Sequence, residues 1–164
     1  MSKVSIRKAN ENDTPLILNF IKQLSIYEKL PNEVTADVQT LHKSLFVEQN
    51  AKVIFIMEGE KEVGFALYFY NFSTFTGKKG LYLEDLFVLE EYRGKGYGKK
   101  LLAYLADIAV KEDCSRFEWI VLDWNTPSIE FYKSFGAFPL DDWTVFRLHK
   151  ENLNLLAKQN TLWD

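Results

Sequence analysis

The chain has 164 residues, of which 47% are hydrophobic and 26% are charged, the composition of an ordinary globular protein. This length predicts one domain over 1–164 with a core large enough to need no disulfide or metal. The formal net charge of −3 excludes the basic footprint of a nucleic-acid-binding protein and argues against a membrane-surface protein.

The N-terminal part of the chain predicts a strand followed by two helices. Alternation over Val4–Lys8 indicates a short strand. Asp13 or Thr14 is expected to cap a helix that has Pro15 in its first turn. Thr35 is expected to cap a second helix. Both helices show apolar residues at helical spacing: Ile17, Phe20, Ile21 and Leu24 in the first, and Val38, Leu41 and Leu45 in the second.

The centre of the chain changes to a period typical of strands. The runs Val53–Met57 and Val63–Tyr70 are rich in β-branched and aromatic residues, and the turn-like Glu58–Lys61 joins them. They predict a hairpin. A third run, Leu81–Val88, leads into a glycine-rich turn and a helix with leucine and alanine on one side.

The C-terminal part predicts two more strands and two more helices. Phe117–Leu122 and Trp143–Leu148 read as strands. Thr126-Pro127 opens a short helix that ends at Gly136, and a weaker helix starts at Asn152. The order of elements predicts an α/β fold with a partly parallel sheet, because a helix between two strands implies a parallel crossover.

The glycine-rich turn is the most informative stretch of the sequence. Gly94, Gly96 and Gly98 follow a strand and open a helix, so the backbone can bend sharply and a ligand can approach its amides. The first N–H groups of a helix have no partner within it and form an anion site. Arg93, Lys95 and Lys99 add positive charge, and a pyrophosphate fits this chemistry.

Other nucleotide-binding turns fit less well. The pattern G-x-x-x-x-G-K-[ST] is absent because Lys100 follows Gly98-Lys99, and G-x-G-x-x-G fails from either Gly94 or Gly96. Asp113 stands where a ribose-binding acid would be sought, but at a helix end. A turn that binds no ligand stays open as an alternative.

The spacing R-x-x-G-x-G over Arg93–Gly98 resembles the pyrophosphate loop of the GNAT superfamily of N-acetyltransferases. Tyr82–Val88 and Trp124–Lys133 resemble the diamine, spermidine/spermine-type branch of that family. The resemblance covers nearly the whole chain. It implies a single-domain α/β fold with a mixed central sheet of about six to seven strands flanked by helices, and acetyl-CoA as cosubstrate with no metal.

The resemblance also implies catalytic roles. Tyr132 is the candidate acid for the departing thiolate, or else a packed aromatic beside Phe131. Glu84 is the candidate base, directly or through a water, with Asp85 as the lesser candidate. In a regular strand these two carboxyls would point to opposite faces, so only one is expected to face the cleft. An acidic pair on a solvated strand is the alternative.

Two sets of binding residues follow from the same resemblance. The residues expected at the coenzyme are Leu86, Phe87, Val88, Arg93, Gly94, Lys95, Gly96, Tyr97, Gly98, Lys99, Asn125, Ser128 and Tyr132. Those expected at the amine are Tyr27, Glu28, Glu84, Asp85 and Trp124. A backbone N–H around Val88 is expected to bind the transferred carbonyl oxygen. Asn125 has a local helix cap as its alternative role.

The remaining reactive residues indicate no further chemistry. Cys114 lies among acidic residues and is expected to be buried and inert, in a reducing compartment, which makes the cytoplasm the default location. The two histidines, His42 and His149, are too far apart in sequence to suggest a metal site. The family implies a homodimer, which Trp143 and Trp163 would suit.

Three functions follow, in order of preference. The first is acetylation of a primary amine of a polyamine or diamine, by direct attack on acetyl-CoA. The second is acetylation of thialysine or another lysine-like amino acid. The third belongs to another class, a non-catalytic acyl-CoA-binding module. We expect a small-molecule amine as partner, with neither nucleic acid nor membrane.

Overall fold

A five-stranded sheet, in the order β1-β2-β3-β4-β5, organises the computed structural model. The chain divides into two compact units, Met1–Leu122 and Asp123–Asp164, and the structure describes residues 3–160. The strands are β1 (Val4–Lys8), β2 (Lys52–Glu58), β3 (Lys61–Ser73), β4 (Lys78–Val88) and β5 (Phe117–Trp119). The helices are α1 (Thr14–Tyr27), α2 (Val38–His42), α3 (Tyr97–Lys111), α4 (Thr126–Lys133) and α5 (Lys150–Ala157).

The sheet is mixed, as predicted. Strands β1 to β4 pair antiparallel in chain order, and β5 joins β4 in parallel after the α3 crossover. The predicted hairpin is confirmed as β2–β3, with Gly59 in its turn at φ +65°. The predicted parallel crossover is confirmed as β4–α3–β5.

The number of strands is smaller than the six to seven predicted. Within residues 3–160, Trp143–Leu148 belongs to no strand, and only Phe117–Trp119 of the run Phe117–Leu122 pairs in the sheet. Both predictions relied on residue type alone. A strand exists only where a neighbouring backbone supplies its hydrogen bonds, and composition does not specify that neighbour.

The helix starts agree with the sequence in part. Pro15 lies in the first turn of α1 as predicted, but the Asp13 carboxylate binds Arg7 at 2.8 Å and makes no cap bond to that helix. Thr35 was the wrong cap for α2. The Asp37 carboxylate accepts from the Thr40 amide at 2.7 Å instead. Helix α2 continues as a π-helical turn over Lys43–Val47.

Two helices cover the sheet. On one face, Phe20 of α1 lies in the core with Phe55, Phe65 and Phe87, and its ring centroid is 5.2 Å from that of Phe65. We call this face of the sheet, which α1 covers, the α1 face. Helix α3 contacts β3 and β4 and buries one apolar side. Its buried apolar residues are Leu101, Leu102, Leu105 and Ala109.

Trp163, predicted to suit a dimer contact, lies outside the described residues. Within them, no helix is long and apolar enough to cross a membrane.

Candidate active site

A β-bulge in β4 sets the direction of the acidic side chains. Leu67 pairs with Asp85 while the next residue of β3, Tyr68, pairs with Leu83, so Glu84 is the extra residue. Directly paired residues of antiparallel strands project to the same face. Because Leu67 belongs to the core under α1, the bulge turns Asp85 to the α1 face.

The strand is therefore not regular at Glu84 and Asp85, although the prediction for these two carboxyls had assumed that it was. In a regular strand, Leu83 and Asp85 would share a face, whereas here they lie on opposite faces. Glu84 is exposed and Asp85 is half-buried.

Three carboxyl groups influence one another at this point. Burial, followed by the charges of Glu84 and Glu28, raises the pKa of Asp85 to about 7. Burial and then the charge of Glu84 also raise the pKa of Glu28, which caps the end of α1. We call Glu28, Glu84 and Asp85 the acidic cluster. It attracts a cation, and a half-ionised Asp85 suits proton transfer near neutral pH.

An aromatic and cationic contact borders the acidic cluster. The Arg93 guanidinium carbon lies 4.8 Å from the ring centroid of Tyr27 and 5.2 Å from that of Phe87. Its Nε donates to the carbonyl oxygen of Val88 at 3.0 Å. The side chain of Arg93 thus reaches back from the glycine turn to the ends of α1 and β4.

The glycine turn has the backbone that an anion site needs. Gly94 and Gly96 have φ of +77° and +79°, in the left-handed region that side chains disfavour. A Cβ at either position would meet nothing within 4 Å, so the space over the turn is open. Gly96 is the N-cap of α3, whose first amides have no partner within the helix. These residues fit a pyrophosphate.

The other predicted coenzyme residues of the first unit contribute unequally. Phe87 and Tyr97 are buried, so their side chains are not exposed to a ligand. Lys95 is paired with Glu58 at 3.2 Å and lies 4.8 Å from the Tyr92 ring centroid. Lys99 is exposed on α3. Leu86 and Val88 are half-buried near the end of β4.

The ladder between β4 and β5 ends at Leu83. The parallel ladder joins Leu81–Leu83 to Phe117–Trp119 and continues no further in the described part of the chain. The strand end Glu84–Val88 therefore keeps backbone groups on its β5 side that an extended ligand could pair with. On its other side Gly64 packs closely, since a Cβ there would lie 2.7 Å from the Phe87 carbonyl oxygen.

The second unit holds the remaining predicted site residues. The Asn125 side-chain oxygen accepts from the Ser128 amide at 3.3 Å and caps α4, the local role weighed from sequence. Tyr132 lies in the last turn of α4, with its ring centroid 5.4 Å from that of Phe131. Trp124 precedes the cap and is exposed.

Cys114 and the histidines give no second reactive site. Cys114 is half-buried rather than buried, and burial raises the pKa of its thiol, which disfavours the reactive thiolate. His42 lies 3.6 Å from a Glu11 oxygen. Among residues 3–160, no three His, Cys, Asp or Glu side chains are grouped so that they could hold a metal ion.

Comparison with known proteins identifies similar sequences and a similar fold. Residues 20–137 match the acetyltransferase (GNAT) family. The chain is 37% identical to thialysine N-epsilon-acetyltransferase of Sus scrofa, with 96% of this chain and 99% of the relative covered. It is 34% identical to spermidine/spermine N(1)-acetyltransferase-like protein 1 of Homo sapiens, over 93% of this chain and 24% of that protein.

A solved structure has the same fold. It is an integron cassette protein from the mobile metagenome of V. cholerae, which superposes with a TM-score of 0.81 at 31% identity. The match covers 96% of this chain and 99% of that one.

Proposed function

This chain belongs to the GNAT family of acetyltransferases, and we propose on that basis that it acetylates a primary amine of a small cationic molecule. A polyamine or diamine is the first candidate substrate. The acidic cluster of Glu28, Glu84 and Asp85 carries this proposal. Polyamines and diamines are multiply protonated at neutral pH, because an alkylamine has a pKa near ~10.4. Three neighbouring carboxyls match such a charge pattern.

Asp85 is the base in this proposal. The attacking amine must lose a proton, and a carboxyl group with a pKa of about 7 accepts protons at neutral pH more readily than an ordinary one. The resemblance favours Glu84 for this role. Its exposure and position in the bulge suit it instead to hold a cationic group of the substrate beside Glu28.

The coenzyme site lies along the end of β4 and the glycine turn. The turn amides of Gly94 to Gly98 bind the pyrophosphate, and the Val88 region donates a backbone N–H to the transferred carbonyl oxygen. Acetyl-CoA supplies the activated thioester. The amine nitrogen bonds to the acetyl carbon as the carbon–sulfur bond breaks, and the Tyr132 hydroxyl gives its proton to the departing sulfur.

A lysine-like amino acid such as thialysine is the second candidate substrate. The full-length similarity to a thialysine acetyltransferase favours it. Such a substrate brings a terminal amine, which the acidic cluster would receive, and a carboxylate, which must lie away from the cluster because like charges repel.

The test is thiol release from acetyl-CoA with matched amines. Lysine and 1,5-diaminopentane differ only in the carboxylate, and spermidine extends the diamine series. We expect a diamine or spermidine to have the highest kcat/KM. A preference for lysine or thialysine over 1,5-diaminopentane would select the second candidate. If every amine matches the acceptor-free blank while acetyl-CoA still binds, the chain is a binding module and the proposed reaction is wrong.

Replacing Tyr132 by Phe tests the proposed acid. The change removes one hydroxyl and keeps the ring, so we expect turnover to fall at least about tenfold while acetyl-CoA binding is preserved. Steady-state kinetics and calorimetric titration measure the two effects. Phe131→Leu, a change in the neighbouring ring, is the control for altered packing. An unchanged turnover number in the Tyr132 variant would remove that residue from the reaction.

Domain organisation, cellular location and oligomeric state are also matters of proposal. We propose that residues 1–164 act as one N-acetyltransferase domain in the cytoplasm and form a homodimer. Sedimentation velocity of the full chain measures the oligomeric state, and a monomer at micromolar concentration would contradict the dimer.

A further inference from the structure

Arg93 belongs to the pyrophosphate pattern, yet its side chain lies at the other end of the site. Its guanidinium is within 5.2 Å of the ring centroids of both Tyr27 and Phe87. Its Nε donates to the Val88 carbonyl oxygen. These contacts involve the last residue of α1 and the last residues of β4, and they leave the turn amides to Gly94 and its neighbours.

The last turn of α1 is closed by hydrogen bonds of its own backbone. Glu28 and Lys29 close the helix through their own amides, which bond to the carbonyls of Leu24 and Ile26 at 2.9 and 3.0 Å. Lys29 has a left-handed φ of +63°, which is costly for a side chain with a Cβ. Contacts from outside the helix therefore help to hold its last turn in place.

We infer that Arg93 is a positioning residue that ties the coenzyme turn to the end of α1 and thereby holds Tyr27 and Glu28 in place for the amine. The effect on the amine rests on the proposed function, whereas the contact between Arg93 and the end of α1 does not. It predicts that loss of Arg93 weakens amine binding. A role limited to the pyrophosphate would weaken only coenzyme binding.

The planar guanidinium is essential to this role. It can stack on a ring while Nε donates sideways, whereas the ammonium of lysine keeps the charge without the fixed fork. Arg93→Lys should therefore be as impaired in amine binding as Arg93→Ala. Arg93→Ala removes charge and contacts together and shows the full effect.

A matched control exists in the same region. Lys61, on β3, places its ammonium 4.8 Å from the ring centroid of Tyr92 and 3.1 Å from that hydroxyl. Lys61→Gln removes an exposed cation–aromatic contact of the same kind, with Tyr92, the residue that directly precedes Arg93 in the sequence. It should reproduce any effect that comes only from lost surface charge or from loosening of the Glu90–Tyr92 turn.

The experiment combines steady-state kinetics with amide hydrogen exchange on the full chain. We expect Arg93→Ala and Arg93→Lys to raise the KM for the amine about tenfold, because both lose the guanidinium that contacts two rings and donates one hydrogen bond, while Lys61→Gln leaves it unchanged. Exchange at Glu28 and Lys29 should be faster in both Arg93 variants only. A Tyr27→Leu, Arg93→Ala double variant should be less impaired than the product of the single effects.

Three results are decisive. If only the KM for acetyl-CoA rises and exchange at the end of α1 is unchanged, Arg93 is a pyrophosphate ligand and the inference is wrong. Restoration of the amine KM by lysine would also contradict it. If wild-type protein acetylates no amine, the proposed function fails, and the exchange comparison still decides whether Arg93 positions α1.

Discussion

At the scale of single residues, Asp85 acquires its chemistry from its surroundings. Its pKa of about 7 arises first from burial and then from two neighbouring carboxylates, Glu84 and Glu28. An aspartate on a solvated strand would have none of these influences. The adjacent Glu84, the extra residue of the bulge, is exposed. Two neighbouring acids thus differ in burial, and burial is the largest cause of the raised pKa of Asp85.

Asp85→Asn should lower kcat/KM for the amine by about 10²–10⁴-fold, because an amide cannot accept the proton. In wild type the rate should rise as pH increases through about 7, as Asp85 loses its proton. The variant should lack that rise and keep only the titration of the substrate amine. A pH series of kcat/KM between 5 and 9 measures the difference.

Glu84→Gln is the matched control for Asp85→Asn. We expect it to raise the KM for the amine and to keep the inflection near pH 7, shifted slightly downward because one negative neighbour of Asp85 is gone. If Glu84→Gln abolishes the inflection and Asp85→Asn retains it, the base is Glu84, as the family resemblance favours.

At the scale of elements, the turn between β4 and α3 combines a left-handed backbone, which glycine adopts readily, with open space for a ligand. Gly94 and Gly96 both have positive φ, and the helix begins directly after Gly96. The three-glycine pattern was visible in the sequence, and it predicts an anion site at this turn. The side-chain direction of Arg93 was not, because it depends on the rings of Tyr27 and Phe87 from two other elements.

Gly96→Ala should both destabilise the protein and weaken coenzyme binding. The left-handed φ costs a residue with a Cβ about 1–2 kcal/mol of unfolding free energy, and the methyl group stands where the pyrophosphate would approach. We expect the KM for acetyl-CoA to rise severalfold. Urea unfolding and steady-state kinetics measure the two effects.

Gly77→Ala is the control that separates the cost of a left-handed φ from hindered approach of the pyrophosphate. Gly77 lies in the β3–β4 turn with φ +66°, and a Cβ there also meets nothing within 4 Å. The stability loss should be similar to that of Gly96→Ala, with the KM for acetyl-CoA unchanged. Equal changes in KM for the two variants would mean that the Gly96 effect is only general destabilisation.

At the scale of the whole molecule, the raised pKa of Asp85 links proton binding to stability. Between the ordinary aspartate pKa of 3.8 and about 7, the folded protein holds a proton that the unfolded chain has released. The unfolded state then binds fewer protons, so stability falls as pH rises through this window. Above it, the folded protein bears the full cost of a half-buried carboxylate.

Asp85→Asn should therefore stabilise the protein at pH 8 and have a smaller effect at pH 4. The gain should be on the order of 1–4 kcal/mol, since one pKa unit corresponds to about 1.4 kcal/mol. Denaturant unfolding at the two pH values measures it. Glu60→Gln, an exposed acid in the β2–β3 turn, should show no such pH-dependent gain. A gain that is equal at both pH values would argue against the raised pKa.

The sequence alone predicted the elements that rest on local patterns. The β2–β3 hairpin, the α1 and α3 helices and the glycine turn all follow from short-range periodicity or from conformations that glycine favours. The family and its acetyl transfer followed from motifs, because residue types at fixed spacing carry them. The strand at Trp143–Leu148 failed because it requires a distant partner.

Tertiary structure decided the properties that depend on distant neighbours. The bulge at Glu84 results from how β3 and β4 pair, and only that pairing turns Asp85 to the α1 face. The proximity of Glu28 to this strand end, and the stacking of Arg93, require α1 to pack on the sheet. Charge interaction and burial depend on distance in space, and residues about sixty positions apart in the chain acquire that distance only on folding.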